Sequence, residues 1–457
     1  VTFLVDLLAA AAVAAGYAFV GELGLGRPSR GTAAWSTSFL VGAGIGAALL
    51  FPLSLLAPAR AVDAELALLL LAAAVAAWGR WIGWRKPRPA PAVAAVSSPD
   101  PVARLLVAAV VVLALFFAAF NVWYGNSWDS VQVFATRAKM LFHQGGLTRW
   151  WFPEDSYDRR LLAYPPMISL NEALFSRIQG AFDFDRLKPI FLFFYASLLA
   201  STYAAARAAV TRRWALVAVL LVALLPEIST RGAAGGYVDM PMAAYVAAAT
   251  ATALKKDGDG EGRRSPLPWL LGSMTAVKQE GMILAVVGCG AVLLYWLSER
   301  PRRLAERLRA NASAAIVVAA FILARAGYVR WTRVHDTTWG PFDAAHVERA
   351  THSVRLVVSL CMRYMLDPRT WGLFWPAFLV ATIGIAMSGP ARVRILVLAT
   401  ATCAALEAGL FLFTNWDFQL HIEGAYARLL AQLAPAAAVA IVDAGSRLWQ
   451  ERTEVAA

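Results

Sequence analysis

Pro268–Trp296 reads PWLLGSMTAVKQEGMILAVVGCGAVLLYW, an apolar run interrupted by the polar tetrad Lys278-Gln279-Glu280-Gly281. As one helix it would extend ~43 Å at ~1.5 Å per residue, too long for one upright crossing of a ~30 Å hydrocarbon core and short for two. Its flanks are basic: Lys255, Lys256, Arg263 and Arg264 precede it, and Arg300, Arg302, Arg303, Arg307 and Arg309 follow. Loops rich in Lys and Arg are retained in the cytoplasm. The run is therefore expected to make two short half-crossings that turn at the tetrad, near the outer face. One long tilted helix is the competing arrangement and would invert every segment that follows.

Outward from this run the chain repeats the same pattern. Further apolar runs cover Phe3–Val20, Trp35–Leu56, Ala64–Trp81, Leu105–Val122, Pro189–Ala208, Trp214–Ile228, Met240–Leu254, Ala314–Val329, Trp371–Met387, Ile395–Phe413 and Leu429–Ala444. Most approach the ~20 residues that span a bilayer. With 59% hydrophobic residues in 457, the expected class is an all-α polytopic membrane protein with about 11–13 transmembrane helices. The first run lacks a basic leader and an A-x-A cleavage site, so it reads as a retained helix. The net charge of +12 is split into short clusters between the runs, which argues for cytoplasmic loops and against a nucleic-acid partner. Besides the two clusters above, these are Arg80, Arg85, Lys86 and Arg88; Arg207, Arg212 and Arg213; Arg392 and Arg394; and Arg447.

All of these clusters lie on one side if the central run crosses an even number of times. The longer polar loops, Trp123–Lys188, Ser229–Asp239, Arg330–Thr370 and Thr414–Arg428, then share the outer face, and all five histidines fall within them. In the first loop, Ala135–Leu141 and Ile168–Ile178 have amphipathic spacing and are expected to lie flat at the membrane surface. Trp150, Trp151 and Phe152 read either as an interfacial aromatic belt or as a platform for a sugar or an isoprenoid tail. The three cysteines, Cys289, Cys361 and Cys403, have no metal or redox spacing and read as small buried apolar residues.

The candidate chemistry sits where apolar runs meet water. Asp129, in Trp128-Asp129, is a carboxylate placed to accept a proton from a hydroxyl; capping of the next helix is the alternative. Asp239, two residues before Pro241, is either a helix cap or a ligand of substrate or metal. Lys278, Arg231 and Arg428 stand at outer ends of apolar runs as cations for a phosphate, with Arg137 and Lys139 behind them. Snorkelling toward headgroups is their alternative role. Glu280 is a partner for Lys278. Asp183-Phe-Asp185 reads as polar punctuation, and His335-Asp336 and Asp417…His421-x-Glu423 lack firm metal-ligand spacing, so no metal is expected to be obligatory. There is no P-loop and no dinucleotide fingerprint.

Trp128-Asp129 followed by Arg137-Ala-Lys139, Tyr164-Pro165-Pro166, Tyr237-Val-Asp239-Met-Pro241, Thr275-Ala-Val-Lys278-Gln-Glu280-Gly281 and His421…Arg428-Leu-Leu-Ala-Gln-Leu-Ala-Pro435 occur in an order and placement that resemble the GT-C glycosyltransferase superfamily. The resemblance covers the chain from about Leu105 to its end. It implies a GT-C-like bundle, a polyprenyl-phosphate-linked sugar as donor, an acceptor hydroxyl and a bilayer partner. It also implies inverting transfer at the extracytoplasmic face of a bacterial plasma membrane. On it, Asp129 is the catalytic base, and Asp239, Lys278, Glu280, Arg231, Arg428, Arg137, Tyr164 and His421 bind substrate. The organisation it implies is 1–82 as accessory helices, 83–104 as a cytoplasmic Pro/Ala linker and 105–457 as the GT-C-like domain, with 123–188 its first large outer loop. A transporter or flippase of a lipid-linked saccharide and a polysaccharide polymerase or ligase are the competing functions.

Overall fold

The computed structural model describes residues 2–26, 31–82, 100–148, 163–255, 265–299, 306, 308–309, 312–332 and 343–456. The described residues are helical throughout and form no sheet. Trp150, Trp151, Phe152, His335, Asp336, Arg85, Lys86 and Arg88 with most of their linker, and much of the basic sequence on either side of Pro268–Trp296, lie outside them. Nine described helices are long and apolar enough to cross a membrane, or up to eleven if each of two bent pairs is one span. The chain is a polytopic helical membrane protein.

The principal helices are α1 (Thr2–Leu25), α2 (Thr32–Leu56), α3 (Ala61–Ile82), α4 (Pro101–Trp123), α5 (Thr136–Gln144), α6 (Met167–Gln179), α7 (Pro189–Arg207), α8 (Arg212–Ala223), α9 (Asp239–Leu254), α10 (Leu267–Val277), α11 (Gly281–Glu299), α12 (Ala312–Thr332), α13 (Ala344–Met365), α14 (Phe374–Ser388), α15 (Ala391–Leu410) and α16 (Phe418–Ala456). Helices α2, α7, α9, α10 and α16 pack at the centre. Helix α4 lies at the rim, with Ala103, Phe117 and Asn121 as its buried residues; the rest of its apolar surface suits lipid.

The Pro268–Trp296 run breaks at its polar tetrad into α10 and α11, and the chain reverses there. Gly281 permits the reversal: a Cβ at this position would lie 1.9 Å from the Met274 carbonyl oxygen. The far ends meet again, because Ser265, Tyr295 and Trp296 line one groove with Lys255 and Arg392. Arg392 Nη1 donates to the Lys255 carbonyl at 3.0 Å and its Nε to the Tyr295 hydroxyl at 2.7 Å. Arg447 reaches the Ser388 carbonyl at 3.1 Å. The described basic residues Lys255, Arg392 and Arg447 therefore lie at one end of the bundle, while Asp129, Asp239, Lys278 and Arg428 meet at the other.

Four sequence expectations change. Helix α6 does not lie flat at a surface: Met167–Ser176 are buried without interruption, because α1, α2, α3 and α5 cover it. Arg330–Thr370 is not a loop over its described part. Asp343 caps α13 by accepting from the His346 amide at 2.9 Å, and Ala350, Val357, Leu360 and Cys361 bury one face at helical spacing. The span expected over Trp214–Ile228 stops at Ala223, and a π-helical segment, Glu227–Ala234, leaves it at 63° after Pro226. Cys361 and Cys403 are buried as expected, but Cys289 is exposed on the wall of the apolar groove.

Helices α1–α3 share one core with the rest of the chain. Tyr245 on α9 donates to the Leu40 carbonyl at 2.6 Å, and Asp6 accepts from Gln179 at 2.5 Å and from Arg186 Nε at 3.1 Å. The α2–α3 turn seats on Gly145, whose carbonyl accepts from the Val62 amide at 2.7 Å. That glycine has φ +79°, and a Cβ there would stand 2.0 Å from the Ala59 carbonyl oxygen, so no larger residue fits.

Candidate functional site

Two backbone segments frame the site. The chain leaving α4 passes through Ser127, whose amide donates to the Gly235 carbonyl at 3.0 Å, and Asn121 on α4 donates to the Ala233 carbonyl at 2.7 Å. Residues 124–130 are thereby fixed against residues 231–239, although they are far apart in sequence. A π-helical turn, Ser130–Ala135, begins directly after Asp129. The side chain that caps it is Ser127, which accepts from the Ser130 amide at 3.2 Å, whereas Asp129 makes no cap bond. The Asp129 carboxylate is instead paired with the Arg428 guanidinium.

Arg428 stands on α16, and its guanidinium lies 5.0 Å from the centroid of the Tyr237 ring. One turn further along α16, Gln432 Nε2 donates to Asp239 Oδ1 at 2.7 Å. Asp239 opens α9 but does not cap it; its carboxylate also takes the Lys278 ammonium at 2.8 Å. Lys278 has a second carboxylate, Glu280, at 3.5 Å. Asp129, Arg428, Tyr237, Asp239, Gln432, Lys278 and Glu280 thus form one continuous polar cluster. Arg231 sits beside it, 2.9 Å from Glu227 and half-exposed. Burial holds the Tyr237 phenol above its ordinary value, with Arg428 opposing and Asp129 reinforcing the effect. Tyr237 therefore serves Arg428 as a neutral ring.

The cluster lies between two cavities. On the polar side is a cavity of about 520 Å³ lined by Tyr124, Gly125, Asn126, Ser127, Arg231, Tyr237, Glu423 and Gly424. On the other side is an apolar groove of about 860 Å³ between α9, α10, α11, α12, α15 and α16. Its lining includes Met274, Leu284 and Cys403, each four residues from Lys278, Glu280 and Glu407 respectively, and Leu433, next to Gln432. The groove therefore closes about one helical turn from the charged cluster. At its other end it reaches Lys255 and Arg392.

The remaining sequence candidates stand elsewhere. Arg137 and Tyr164 form a second group: Arg137 is 2% exposed and donates through Nη1 to the Tyr164 carbonyl at 2.5 Å, and the Tyr164 ring meets Phe134 edge-on. The amphipathic reading puts Arg137 at the interface, but it lies on the buried face of α5 with Ala138 and Leu141, against the buried helix α6. Lys139 lies 5.5 Å from the Phe184 ring. His421 Nδ1 is 2.6 Å from the Thr414 hydroxyl, and its ring packs against Phe411 and Trp416. Asp183 caps the turn Phe184–Arg186, in keeping with polar punctuation. Among the described residues, no three His, Cys, Asp or Glu side chains converge to hold a metal ion.

Sequence reading did not single out Ser127, Asn121, Gln432, Glu227 or Glu407. For Glu407 the signal was present: an ionisable residue inside the apolar run Ile395–Phe413. For Gln432 it was the four-residue step from Arg428 on one helical face. No protein-family model, curated protein or solved structure matches this chain.

Proposed function

We propose that the chain is an inverting glycosyltransferase that moves a sugar from a polyprenyl-phosphate carrier to an acceptor hydroxyl. The observation that carries this reading is the position of the charged cluster, with an apolar groove on one side and a polar cavity on the other. A lipid-linked sugar has that polarity: an apolar chain, a charged junction and a polar head. The carrier's tail occupies the groove, its phosphate lies by Lys278 and Arg428, and the acceptor arrives through the cavity. Asp129, whose carboxylate is 27% exposed, takes the acceptor's proton as the new glycosidic bond forms and the sugar–phosphate bond breaks, leaving the electron pair on the phosphate. The described basic residues Lys255, Arg392 and Arg447 at the opposite end support, by the positive-inside rule, an extracytoplasmic position for the cluster in a bacterial plasma membrane.

The test uses purified full-length protein in nanodiscs with a radiolabelled polyprenyl-phosphate sugar. Asp129→Asn should bind the donor and lose transfer; transfer at the wild-type rate by that variant would overturn the role given to Asp129. One observation favours a second reading, a flippase of the same lipid: the groove runs from about one helical turn short of the cluster to Lys255 and Arg392 at the other end. Movement of the lipid between leaflets of proteoliposomes, without sugar transfer, would decide for it.

A further inference from the structure

Thr400, Cys403 and Glu407 on α15 are spaced i, i+3, i+7 and share one helical face. The first two line the apolar groove. Glu407 continues that stripe toward the charged cluster, fully buried, with neither carboxylate oxygen hydrogen-bonded. The titratable groups that face it are Lys278, Glu280 and Asp239 across the cluster, Tyr426 on α16, and Cys403 on its own helix. An ionised carboxylate in that position would carry an unpaired buried charge, which costs several kcal/mol. A protonated carboxyl avoids this charge and supplies a hydrogen-bond donor.

A phosphate that crosses the remaining helical turn from the top of the groove to the cluster meets Asp239 and Glu280 as well as Lys278, and Lys278 already serves both carboxylates. Another anion there would repel it, whereas a neutral donor would not. We propose that Glu407 carries a proton and donates a hydrogen bond to the phosphate of the lipid whose tail fills the apolar groove. This rests on the reading of the ligand as a polyprenyl phosphate and adds a phosphate-binding residue that none of the paired cations replaces. Because only the protonated form donates, affinity is highest at low pH and falls as pH rises through the titration of Glu407.

The full-length protein in nanodiscs is treated with dicyclohexylcarbodiimide, an apolar reagent that couples to protonated carboxyls, and modification of Glu407 is read by peptide mass spectrometry. Modification should fall as pH rises. Polyprenyl monophosphate should protect Glu407, while polyprenol and inorganic phosphate should not. Binding of polyprenyl monophosphate should weaken about ten- to hundredfold in Glu407→Ala, the loss expected for a hydrogen bond to a charged group. Glu407→Gln keeps a donor and cannot ionise, so it should bind near wild type and lose the pH dependence. Size-exclusion profiles and Glu407→Gln together separate lost binding from lost folding. Unmodified Glu407 at low pH, equal protection by polyprenol, or wild-type affinity in a folded Glu407→Ala would overturn the assignment. If protection holds but wild-type protein transfers no sugar, the glycosyltransferase reading fails and the lipid-phosphate site stands. If transfer proceeds while Glu407→Ala binds normally, the reverse is true.

Discussion

Removing one partner of the Lys278–Asp239 pair should have unequal consequences on its two sides. The side chains are 8% and 4% exposed and 2.8 Å apart, so water cannot compensate for the loss of either. In Lys278→Met, Asp239 loses its bonded cation and keeps its bond from the neutral Gln432 amide at 2.7 Å, with Arg428, already paired to Asp129, as the nearest remaining cation. The expected cost is about 3–5 kcal/mol, the range for a buried charge left without its partner. In Asp239→Asn, Lys278 keeps Glu280 at 3.5 Å, so the charge is still matched. The expected cost there is about 1.5–3 kcal/mol, that of one charged hydrogen bond. Both lesions remove the same contact, so the double variant should cost less than the sum, by about 0.5–3 kcal/mol. Reversible unfolding in mixed detergent–SDS micelles, followed by circular dichroism, measures all three. Additive costs, or Asp239→Asn costing as much as Lys278→Met, would refute the assigned pairing.

Other consequences can be checked by unfolding measurements, the first two in the same assay. Gly281→Ala forces a Cβ to within 1.9 Å of the Met274 carbonyl oxygen and should cost about 1–3 kcal/mol or more through overpacking; wild-type stability would mean the α10–α11 reversal is looser than described. Ser127→Ala removes the cap on Ser130 and should cost about 1 kcal/mol; no loss would return that role to Asp129. At the opposite end, Asp100 is held below its ordinary value, chiefly by its hydrogen bond from Arg213. A depressed carboxyl stabilises the fold above its unfolded value and loses that contribution as pH falls through the folded one. Thermal midpoints of Arg213→Gln should therefore fall less steeply than those of wild type on acidification, and parallel curves would contradict the pair.

The membrane-spanning character and the break at Lys278 were legible because both follow from one constraint: a charged group and an unpaired backbone are costly in hydrocarbon. Asp129, Asp239, Lys278 and Arg428 could each be noticed singly at the ends of apolar runs. Their pairing could not, since Arg428 meets Asp129 across 299 residues and Gln432 meets Asp239 across 193. Those distances in sequence are closed by the packing of α16 on α9, which no local pattern encodes. Amphipathic spacing misplaced α6 for a related reason. It reports one apolar face and is silent about a second cover, which α1–α3 provide.

Each cation that sequence reading offered to the phosphate from the end of a run is already held by a carboxylate: Lys278 by Asp239 and Glu280, Arg428 by Asp129, Arg231 by Glu227. This arrangement keeps the charges compensated in a largely buried place, and in the proposed function it would have a phosphate accepted by exchange of partners, not by addition to a bare positive patch. In the proposed reaction the exchange has a direction. Arg428 is the cation bound to the proposed base itself, at Oδ2, so a phosphate that draws its guanidinium away frees that oxygen for the acceptor's hydroxyl. Until then the same guanidinium occupies one of the two carboxylate oxygens. The carrier's arrival and the readiness of the base are thus linked through one side chain. A site with uncompensated cations would bind phosphate at less cost, but it would have no such link.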